Sequence, residues 1–338
     1  MYRNNFLYVF SDYSGSDIGI YKKKKSREII RCEDIELINI GNKLIARELM
    51  KWLIENEIDI IYNYESKYGI FNHLGIRENE VGEYMLIYYL HNEEGIIDIL
   101  NKLRKFNYDI FNIKSVYYQL FDQKRFDLRY DYINLIGNKY LEYNILDKVF
   151  KINPGSFFQI NTKVYPIMYS DIVNKFKYYL PLRSLAGLYS NASDDTIFLD
   201  LYCGVGIMSI LMSEYYNKLY GVEINKNAIE VAKINAKSNG INNITYICSS
   251  VEDAIDRLVD SIDKNIVIFI NPSRRGIYKN VIEKLNEVKA NVKGILYLSC
   301  CEKTLKRDLE LFNYDSNYLM DYDMFPGTKH REFLYELT

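Results

Sequence analysis

A short glycine-containing stretch is the first segment whose residue types could do chemistry. An apolar run ends at Asp200 and is followed by Tyr202, Gly204 and Gly206. Glycines let the backbone turn sharply and approach a ligand closely, and a following helix offers free N–H groups. Alone, such a pattern is more often an ordinary tight turn. Glu223 follows Gly204 at roughly the 20-residue spacing at which a carboxylate accepts hydrogen bonds from both ribose hydroxyls of an adenosine, which favours a nucleotide-cofactor site.

Two classes of nucleotide cofactor compete for this turn. A dinucleotide site favours a third glycine, where helix and strand pack around a pyrophosphate, but Ser209 stands there. S-Adenosylmethionine carries no phosphate, and the acidic Asp200 before the turn would repel one. The sequence therefore favours S-adenosylmethionine over a nicotinamide dinucleotide.

Two cysteines and a late carboxylate form the second candidate group. Cys300 and Cys301 follow a strand-like run at 294–299. A cysteine in a strand is usually an inert small hydrophobic residue, but a thiol at the carboxyl end of a strand, facing a helix N-terminus, should have a lowered pKa and can act as a nucleophile. His330 and Glu332 follow near the C-terminus, where isolated histidine and glutamate residues are more often surface residues than catalysts.

The alternation of apolar runs with helical patterns predicts the elements that position these residues. Strands are predicted at 197–202, 219–224, 244–248, 266–270 and 294–299, and helices at 207–217, 226–239, 251–260 and 277–289. Such alternation specifies a mostly parallel, doubly wound α/β sheet with right-handed crossovers. Ligands on these sheets bind beyond the carboxyl ends of the strands, where both candidate groups lie.

The first part of the chain has a different pattern. Short strands and helices are mixed there, with a strand predicted at 84–90 and helices at 42–55 and 93–106. A length of 338 residues suggests two domains. We therefore expect a smaller α+β domain over 1–150, in contact with RNA, and the α/β domain over 151–338.

Composition excludes several classes of protein. The chain has 43 Lys and Arg against 45 Asp and Glu, so it has no uniformly basic surface. It has neither an apolar run of the ~18 residues that a membrane span needs nor an export signal. Five separated cysteines without a C-x-x-C pair, and three histidines, argue against a disulfide scaffold, a zinc site and an iron–sulfur cluster. We expect a cytoplasmic protein with no metal, membrane or protein partner.

Five ordered motifs resemble those of the S-adenosylmethionine-dependent RNA (uracil-5-)-methyltransferases. They are Ser156-Phe157-Phe158-Gln159-x-Asn161, Asp200-x-Tyr202-Cys203-Gly204-x-Gly206, Asn271-Pro272-x-Arg274-x-Gly276, Ser299-Cys300 with Thr304-Leu305-x-Arg307-Asp308, and Phe325-Pro326-x-Thr328-x-His330-x-Glu332. The N-terminal half is also similar, around residues 19–21 and 69–74. The resemblance covers nearly the whole chain from about residue 10, and the ordered set is far more specific than any single motif.

The resemblance implies a fold, a reaction and a set of site residues. The fold would be a Rossmann-like class I methyltransferase, the cofactor S-adenosylmethionine, and the partner a loop of structured RNA, ribosomal RNA slightly ahead of transfer RNA. Cys300 would add to uracil C6 and Glu332 would remove the C5 proton, on a base that has left its stack. The implied cofactor-binding residues are Gln159, Tyr202, Gly204, Gly206, Glu223, Ser250 and Asn271. The implied substrate-binding residues are Phe158, Gln159, Arg274 and His330.

The chain departs from the family pattern in several places. The usual Asp-Pro-Pro-Arg is Asn271-Pro272-Ser273-Arg274, and Cys301 stands where the family usually has Asn, so we assign it no role. We expect neither the oligonucleotide-binding barrel that precedes the central domain in many relatives nor the iron–sulfur cluster of some members. The basic run Lys22–Lys25 with Arg27 could bind phosphates or form a solvated loop.

Three other functions are possible from the sequence. The first is a catalytically impaired RNA-binding or RNA-folding protein, which the Asn271 replacement suggests and the intact Cys300 and Glu332 oppose. The second is an amino-methyltransferase of adenine or cytosine, which uses Asn-Pro at a strand end but needs an aromatic residue where Ser273 and Arg274 stand. The third is a nicotinamide oxidoreductase.

Overall fold

The protein consists of two compact units. The computed structural model describes residues 5–11, 17–22, 28–36, 38–58, 69–91, 95–121, 131–179 and 196–338. The units comprise residues 1–143 and 144–338. The basic run of Lys22–Lys25 and Arg27 lies outside the described residues except for Lys22, whose Nζ is 3.1 Å from Glu28 Oε2.

The first unit is a mixed sheet with helices on one face. Its strands are β1 (Asn5–Ser11), β2 (Asp17–Tyr21), β3 (Ile29–Arg31), β4 (Phe71–Glu78), β5 (Tyr84–His91), β6 (Ile113–Phe121) and β7 (Ile133–Gly137). Its helices are α1 (Ile40–Glu55) and α2 (Ile96–Leu103). The strand order is β3-β2-β1-β4-β5-β6-β7, in which only β5 and β6 run parallel.

The core of the first unit lies between this sheet and its helices. Leu49 and Leu53 of α1 and Leu103 of α2 are fully buried against alternate residues of the strands. Helix α1 begins at Asn39, whose side-chain oxygen accepts a hydrogen bond from the Asn42 N–H group at 2.7 Å. The predicted helix at 42–55 and the predicted strand at 84–90 are confirmed. The helix predicted at 93–106 is shorter, because Gly95 adopts φ +86° directly before Ile96.

The boundary between the two units in the sequence falls within a two-stranded hairpin. It consists of β8 (Leu141–Ile145) and β9 (Lys148–Ile152). The Val149 and Lys151 N–H groups donate to the side-chain amides of Asn239 and Asn235, at 3.0 and 2.7 Å. These bonds attach the hairpin to the second unit. The boundary at 143 therefore falls earlier than the boundary at 150 expected from the sequence.

The second unit is a mostly parallel sheet covered by helices. Its strands are β10 (Thr196–Leu201), β11 (Leu219–Glu223), β12 (Ile244–Cys248), β13 (Asn265–Ile270), β14 (Val292–Ser299), β15 (Ser316–Tyr322) and β16 (Glu332–Leu337). Its helices are α3 (Tyr165–Lys177), α4 (Ile207–Met212), α5 (Lys226–Ser238), α6 (Val251–Asp260), α7 (Lys279–Glu287) and α8 (Glu302–Leu311).

The strand order of this sheet brings the carboxyl ends of its parallel strands to one edge. The order is β12-β11-β10-β13-β14-β16-β15, in which β10 to β14 are parallel and β16 runs antiparallel to β14 and β15. Strands β10, β13 and β14 are wholly apolar over most of their length because helices cover both faces of the sheet. The start of β16 therefore lies beside the end of β14.

The predicted α/β fold class is confirmed, and every predicted strand of the second unit occurs within two residues of its predicted bounds. The helix predicted at 207–217 is shorter and ends at Met212, where Ser213 Oγ donates to the Ile210 carbonyl at 2.7 Å. No helix in the described part of the chain is long and apolar enough to cross a membrane.

Candidate active site

A cavity of about 580 Å³ opens at the carboxyl edge of the second sheet. It is enclosed by the turns that follow β10 to β14, by the segment before α3 and by the segment that leads into β16. The structure brings together nearly all of the site residues expected from the sequence. Those that line the cavity are Phe158, Gln159, Tyr202, Gly204, Glu223, Ser250, Asn271, Arg274, Cys300, His330 and Glu332.

Gly206 is the expected site residue that does not line the cavity. It adopts φ +83°, and a Cβ atom there would lie 2.4 Å from the Tyr246 hydroxyl and 3.1 Å from Ala232 Cβ. Glycine at this position is therefore required by the packing of the turn against β12 and α5. The glycine itself is accounted for by this packing, and its contact with the cofactor stays a prediction.

The turn after β10 holds a carboxylate by main-chain groups. Glu223, at the end of β11, accepts hydrogen bonds from the Gly204 N–H group at 3.2 Å and the Asn225 N–H group at 2.8 Å. A Cβ atom on Gly204, which has φ +53°, would meet nothing within 4 Å. The chain thus fixes both Glu223 oxygens toward a concave space that a ligand can fill.

Asp200 acts differently from the expectation. It is buried, and its Oδ2 accepts a hydrogen bond from the Ser209 N–H group in the first turn of α4 at 2.8 Å. Burial raises the pKa of Asp200 to about 7. Asp200 also lines the cavity, and it occupies a helix N–H group that a phosphate could otherwise use. The preference for a cofactor without phosphate remains.

Three further cofactor-side residues are placed by hydrogen bonds. Tyr202 lies in the left-handed region at φ +63°, and its hydroxyl donates to Glu252 Oε1 at 3.1 Å. Ser250 is the N-cap of α6, where its hydroxyl oxygen accepts from the Asp253 N–H group at 3.2 Å. The main chain of Asn271 is attached to β10 by a bond to the Leu201 carbonyl at 3.4 Å.

The thiol of Cys300 has a raised pKa, contrary to the sequence expectation. Burial raises it first, and the nearby Glu332 carboxyl raises it further, against a smaller lowering by Arg274. The helix N-terminus acts instead on Cys301, the N-cap residue of α8. Hydrogen bonds from Thr304 lower the pKa of the Cys301 thiol. The expectation failed because the helix begins one residue later than a helix capped by Cys300 would.

Glu332 is a buried carboxyl with an unsatisfied atom. It is 4% exposed, and within the described part of the chain its Oε2 atom has no hydrogen-bond partner. Burial raises the pKa of Glu332 to about 7, and the charge of Arg274 opposes that rise. Buried polar atoms without a partner are rare and occur at catalytic sites. A carboxyl that titrates near neutrality can both accept and return a proton.

Arg274 is the cation common to the reactive groups. Its charge lowers the pKa values of Cys300, Cys301 and Glu332. It lies in the turn after β13, between the end of β10 and the end of β14 in the sheet order. The turn therefore places a positive charge, on an exposed side chain, between the cofactor side and the thiol side of the cavity.

The two adjacent phenylalanines of the first motif both line the cavity, but they differ in burial. Phe158, expected to bind substrate, is 7% exposed and packs its ring edge-on against Tyr165 at 5.3 Å. Phe157 is 71% exposed and lines the cavity. The sequence missed Phe157 because two adjacent aromatic residues in an extended segment give no sign of which one is buried. Gln159, beside them, is buried and also lines the cavity.

His330 lies at the rim rather than in the depth of the cavity. It is exposed, its ring is 6.1 Å from that of Phe325, and its N–H group donates to Thr328 Oγ1 at 3.1 Å. These contacts hold the loop that delivers Glu332. In the described residues no group of three or more histidine, cysteine, aspartate or glutamate side chains is arranged to hold a metal ion.

Relatives of known class share this architecture. A solved structure of a Pyrococcus abyssi tRNA (uracil-54, C5)-methyltransferase, in complex with S-adenosyl-L-homocysteine, superposes with a TM-score of 0.76 at 22% sequence identity, and covers 100% of this chain and 76% of that one. At this identity the likeness shows the fold alone.

Sequence comparison shows the family. An RNA methyltransferase of Fusobacterium nucleatum, itself uncharacterised, is 32% identical over 336 residues, which are 98% of this chain and 68% of the relative. One from Clostridium acetobutylicum is 31% identical, over 98% of this chain and 69% of the relative. The family described as tRNA (uracil-5-)-methyltransferase matches residues 18–335. The chain therefore belongs to the tRNA (uracil-5-)-methyltransferase family and is an RNA (uracil-5-)-methyltransferase.

Proposed function

We propose that this protein methylates C5 of a uridine in structured RNA by covalent catalysis, with Cys300 as the nucleophile and Glu332 as the base. One observation carries the proposal: the half-buried thiol and the unpartnered carboxyl line the same cavity as the glycine turn. Uracil C5 is too weak a nucleophile to take a methyl group from a sulfonium directly, so a covalent intermediate that activates C5 is needed.

The cofactor side of the cavity fits S-adenosylmethionine. The space in front of Gly204 accepts a group that approaches the main chain closely, and the two fixed oxygens of Glu223 can accept ribose hydroxyls. Asp200 already accepts the Ser209 N–H group in the first turn of α4, so that donor is not available to a pyrophosphate. When bound, S-adenosylmethionine supplies the methyl group.

The first chemical step belongs to Cys300. Loss of its proton gives a thiolate, the sulfur forms a bond to C6 of the uracil, and the electron pair of the C5–C6 double bond moves through C4 to the carbonyl oxygen. C5 then carries enough negative charge to form a bond to the methyl group, whose bond to the sulfonium sulfur breaks and would leave S-adenosylhomocysteine. Arg274 favours the thiolate through its charge, while burial and Glu332 oppose it.

The second step belongs to Glu332. After methyl transfer C5 carries both a methyl group and a proton. The Glu332 carboxylate takes this proton, the electron pair of the C5–H bond re-forms the C5–C6 double bond, and the Cys300 sulfur leaves. A carboxyl with a pKa of about 7 is suited to this exchange at neutral pH.

Phe157 would hold the base that enters the cavity. Its exposed ring offers a stacking face to a nucleotide that has left its helix, which replaces part of the stacking lost in the RNA. Gln159 lies two residues further at the cavity wall, where its amide can donate and accept hydrogen bonds on the edge of the base.

RNA that contains 5-fluorouridine tests the proposal. Fluorine at C5 cannot leave as a proton does, so the methylated ring should remain bound to Cys300. We expect an adduct that survives denaturation and requires S-adenosylmethionine, found with wild-type protein and absent from Cys300→Ala. If the wild-type protein binds such an RNA without forming the adduct, the proposed mechanism is wrong.

The class of RNA remains a prediction. We expect ribosomal RNA as the substrate slightly ahead of transfer RNA. We also expect the protein to act in the cytoplasm and to hold no iron–sulfur cluster. Mass spectrometry of 5-methyluridine in separately purified ribosomal and transfer RNA, from cells with and without the gene, identifies the substrate class. Loss of the nucleoside from transfer RNA alone would contradict the ribosomal preference.

A further inference from the structure

The turn that carries Arg274 is attached to helix α8 through main-chain carbonyl groups. Thr304 Oγ1 lies 3.3 Å from the Arg274 carbonyl oxygen and 3.1 Å from the Cys301 carbonyl oxygen, and its proton can be donated to either. Arg307 Nη2 donates to the Arg275 carbonyl at 3.0 Å and to the Ile277 carbonyl at 3.2 Å. Helix α8 directly follows Cys300 and Cys301. The segment behind the thiol therefore holds the segment that bears the cation.

A buried carboxylate anchors this arrangement. Asp308 is 0% exposed, and its Oδ2 accepts hydrogen bonds from the Ile277 N–H group at 2.8 Å and from the Tyr297 hydroxyl at 2.7 Å. Its Oδ1 accepts from Arg307 Nε at 2.8 Å. Asp308 thus orients the Arg307 guanidinium, which in turn reaches the carbonyl groups of the turn.

Gly276 shows how closely the turn and the helix fit. It adopts φ +75°, and a Cβ atom there would lie 2.4 Å from Asp308 Oδ2 and 2.7 Å from Arg307 Nη2. Its N–H group donates to the Ser273 carbonyl at 2.9 Å, which closes the turn. The position of Arg274 is therefore set by helix α8 rather than by its own neighbours alone.

We propose that Thr304 and Arg307 are positioning residues for the methyl transfer, because their hydrogen bonds to the turn fix the Arg274 guanidinium relative to the Cys300 thiol and the Glu332 carboxyl. The inference rests on the proposed function and adds to it the residues that control the nucleophile. The charged and titratable groups that act on Cys300 are Glu332, Arg274 and Cys301. Of these only Arg274 favours the thiolate, so displacement of Arg274 makes the thiol harder to ionise.

Alkylation of Cys300 by iodoacetamide at pH values from 7 to 10 tests this inference without RNA. The thiolate sulfur bonds to the reagent carbon and iodide leaves, and peptide fragmentation separates Cys300 from Cys301. Thr304→Val should move the pH midpoint for Cys300 upward by about one unit, a tenfold loss of rate at pH 8. Thr304→Ser, which keeps the hydroxyl, should restore the wild-type curve, and Arg307→Gln should move it in the same direction as Thr304→Val. The exposed Cys248 is the internal reference.

Two comparisons distinguish positioning from a structural role. In an Arg274→Gln background, Thr304→Val should add no further shift, because the cation that it positions is absent. Glu310→Gln, on the exposed face of α8, should change nothing. Methylation by Thr304→Val should recover toward the wild-type rate as the pH rises, whereas damage to the fold would lower the rate at every pH.

Specific results would overturn the inference. It is wrong if Thr304→Val and Arg307→Gln alkylate with the wild-type pH midpoint, or if the shift is fully additive with Arg274→Gln. Failure of the wild-type protein to trap 5-fluorouridine RNA would instead contradict the proposed function, since the alkylation experiment does not depend on it.

Discussion

The cofactor side and the thiol side of the cavity are built in opposite ways. Around Gly204 the polar groups are paired with main-chain atoms: Glu223 and Asp200 each accept N–H groups from the turn and the first turn of α4. On the other side, Glu332 has an oxygen without a partner in the described residues, and burial raises the pKa of both Glu332 and Cys300. Binding a cofactor requires a fixed surface, whereas exchanging protons requires groups that the fold leaves unsatisfied.

Removal of the Cys300 thiol should have the largest effect on activity, because it eliminates the reactive group on the thiol side and leaves the cofactor side intact. Cys300→Ala is expected to lower methylation by at least about 10³-fold, because the other thiol among the described residues that line the cavity, Cys203, is buried and burial raises its pKa well above the usual value. Cys301→Ala should keep most of the activity, since Cys301 does not line the cavity. The measurement is adduct formation on 5-fluorouridine RNA. Equal losses in both variants would contradict the assignment of the nucleophile.

The pH dependence of the wild-type adduct sharpens the same assignment. Because the pKa of Cys300 is raised above its ordinary value of 9.0, adduct formation should keep increasing from pH 7 to pH 9. A rate that is already constant at pH 7 would mean that Cys300 ionises more easily than its burial allows.

Glu332→Gln should separate the two chemical steps. Adduct formation on 5-fluorouridine RNA should persist, because no proton needs to be removed, while turnover on uridine RNA should fall about 10²- to 10⁴-fold. Methylated RNA should then accumulate as a covalent complex. Glu310→Gln, on exposed helix surface, is the matched control. Loss of the adduct in Glu332→Gln would assign this residue to the first step.

The same variant should be more stable than the wild type at high pH. The unfolded chain releases the Glu332 proton near pH 4.5, whereas the folded chain keeps it up to about pH 7. The stabilising contribution is therefore complete below pH 4.5 and is lost as the pH rises to 7, at a cost on the order of 3 kcal/mol. Thermal unfolding of Glu332→Gln and wild type at pH 5 and pH 8 checks this. A difference independent of pH would contradict it.

Glu223→Gln tests the cofactor side. The amide replaces one charged acceptor by a donor, so the affinity for S-adenosylmethionine should fall about tenfold, or about 1.4 kcal/mol. Isothermal titration calorimetry measures it, with Glu230→Gln on the exposed face of α5 as the control. Adduct formation at saturating cofactor should be unchanged. A change in that rate without a change in affinity would place Glu223 outside the cofactor site.

Phe157→Ala should have the smallest effect of the series. Because the ring is 71% exposed, loss of its stacking face should cost about 1 kcal/mol, the lower end of the range for base–aromatic stacking, so KM for RNA should rise while the affinity for S-adenosylmethionine stays the same. Phe157→Tyr keeps the ring and should restore KM. A wild-type KM in Phe157→Ala would mean that the base stacks elsewhere.

The parts of the molecule that the sequence predicted are those that depend on regular patterns. Apolar runs such as 266–270 and 294–299 identify buried parallel strands without any tertiary information. The antiparallel placement of β16 between β14 and β15 was not predicted, because its residues overlap a motif read only for its chemistry. The sheet of the first unit was predicted only at 84–90, where the apolar run is longest.

The expectation that failed at the site, a lowered pKa for Cys300, depended on single-residue register. The start of α8 decides whether Cys300 or Cys301 has the helix N-terminus, and the direction of an extended segment decides whether Phe157 or Phe158 is exposed. A glycine at position 206 is expected both for close packing of the turn and for contact with a cofactor, and the sequence alone does not distinguish these two reasons. The sequence therefore predicts which residue types lie at the site, but it does not predict which way each side chain points.

The position of β16 in the sheet has a consequence for aggregation of the protein. This strand fills the gap between β14 and β15, and Glu332 is its first residue. Without β16, the main chain of β14 around Tyr297 has unpaired N–H and C=O groups along one edge, and strands of other chains can pair with them and aggregate. Proteolytic removal of β16 should therefore remove Glu332 and expose an unpaired edge of β14, so that aggregation increases.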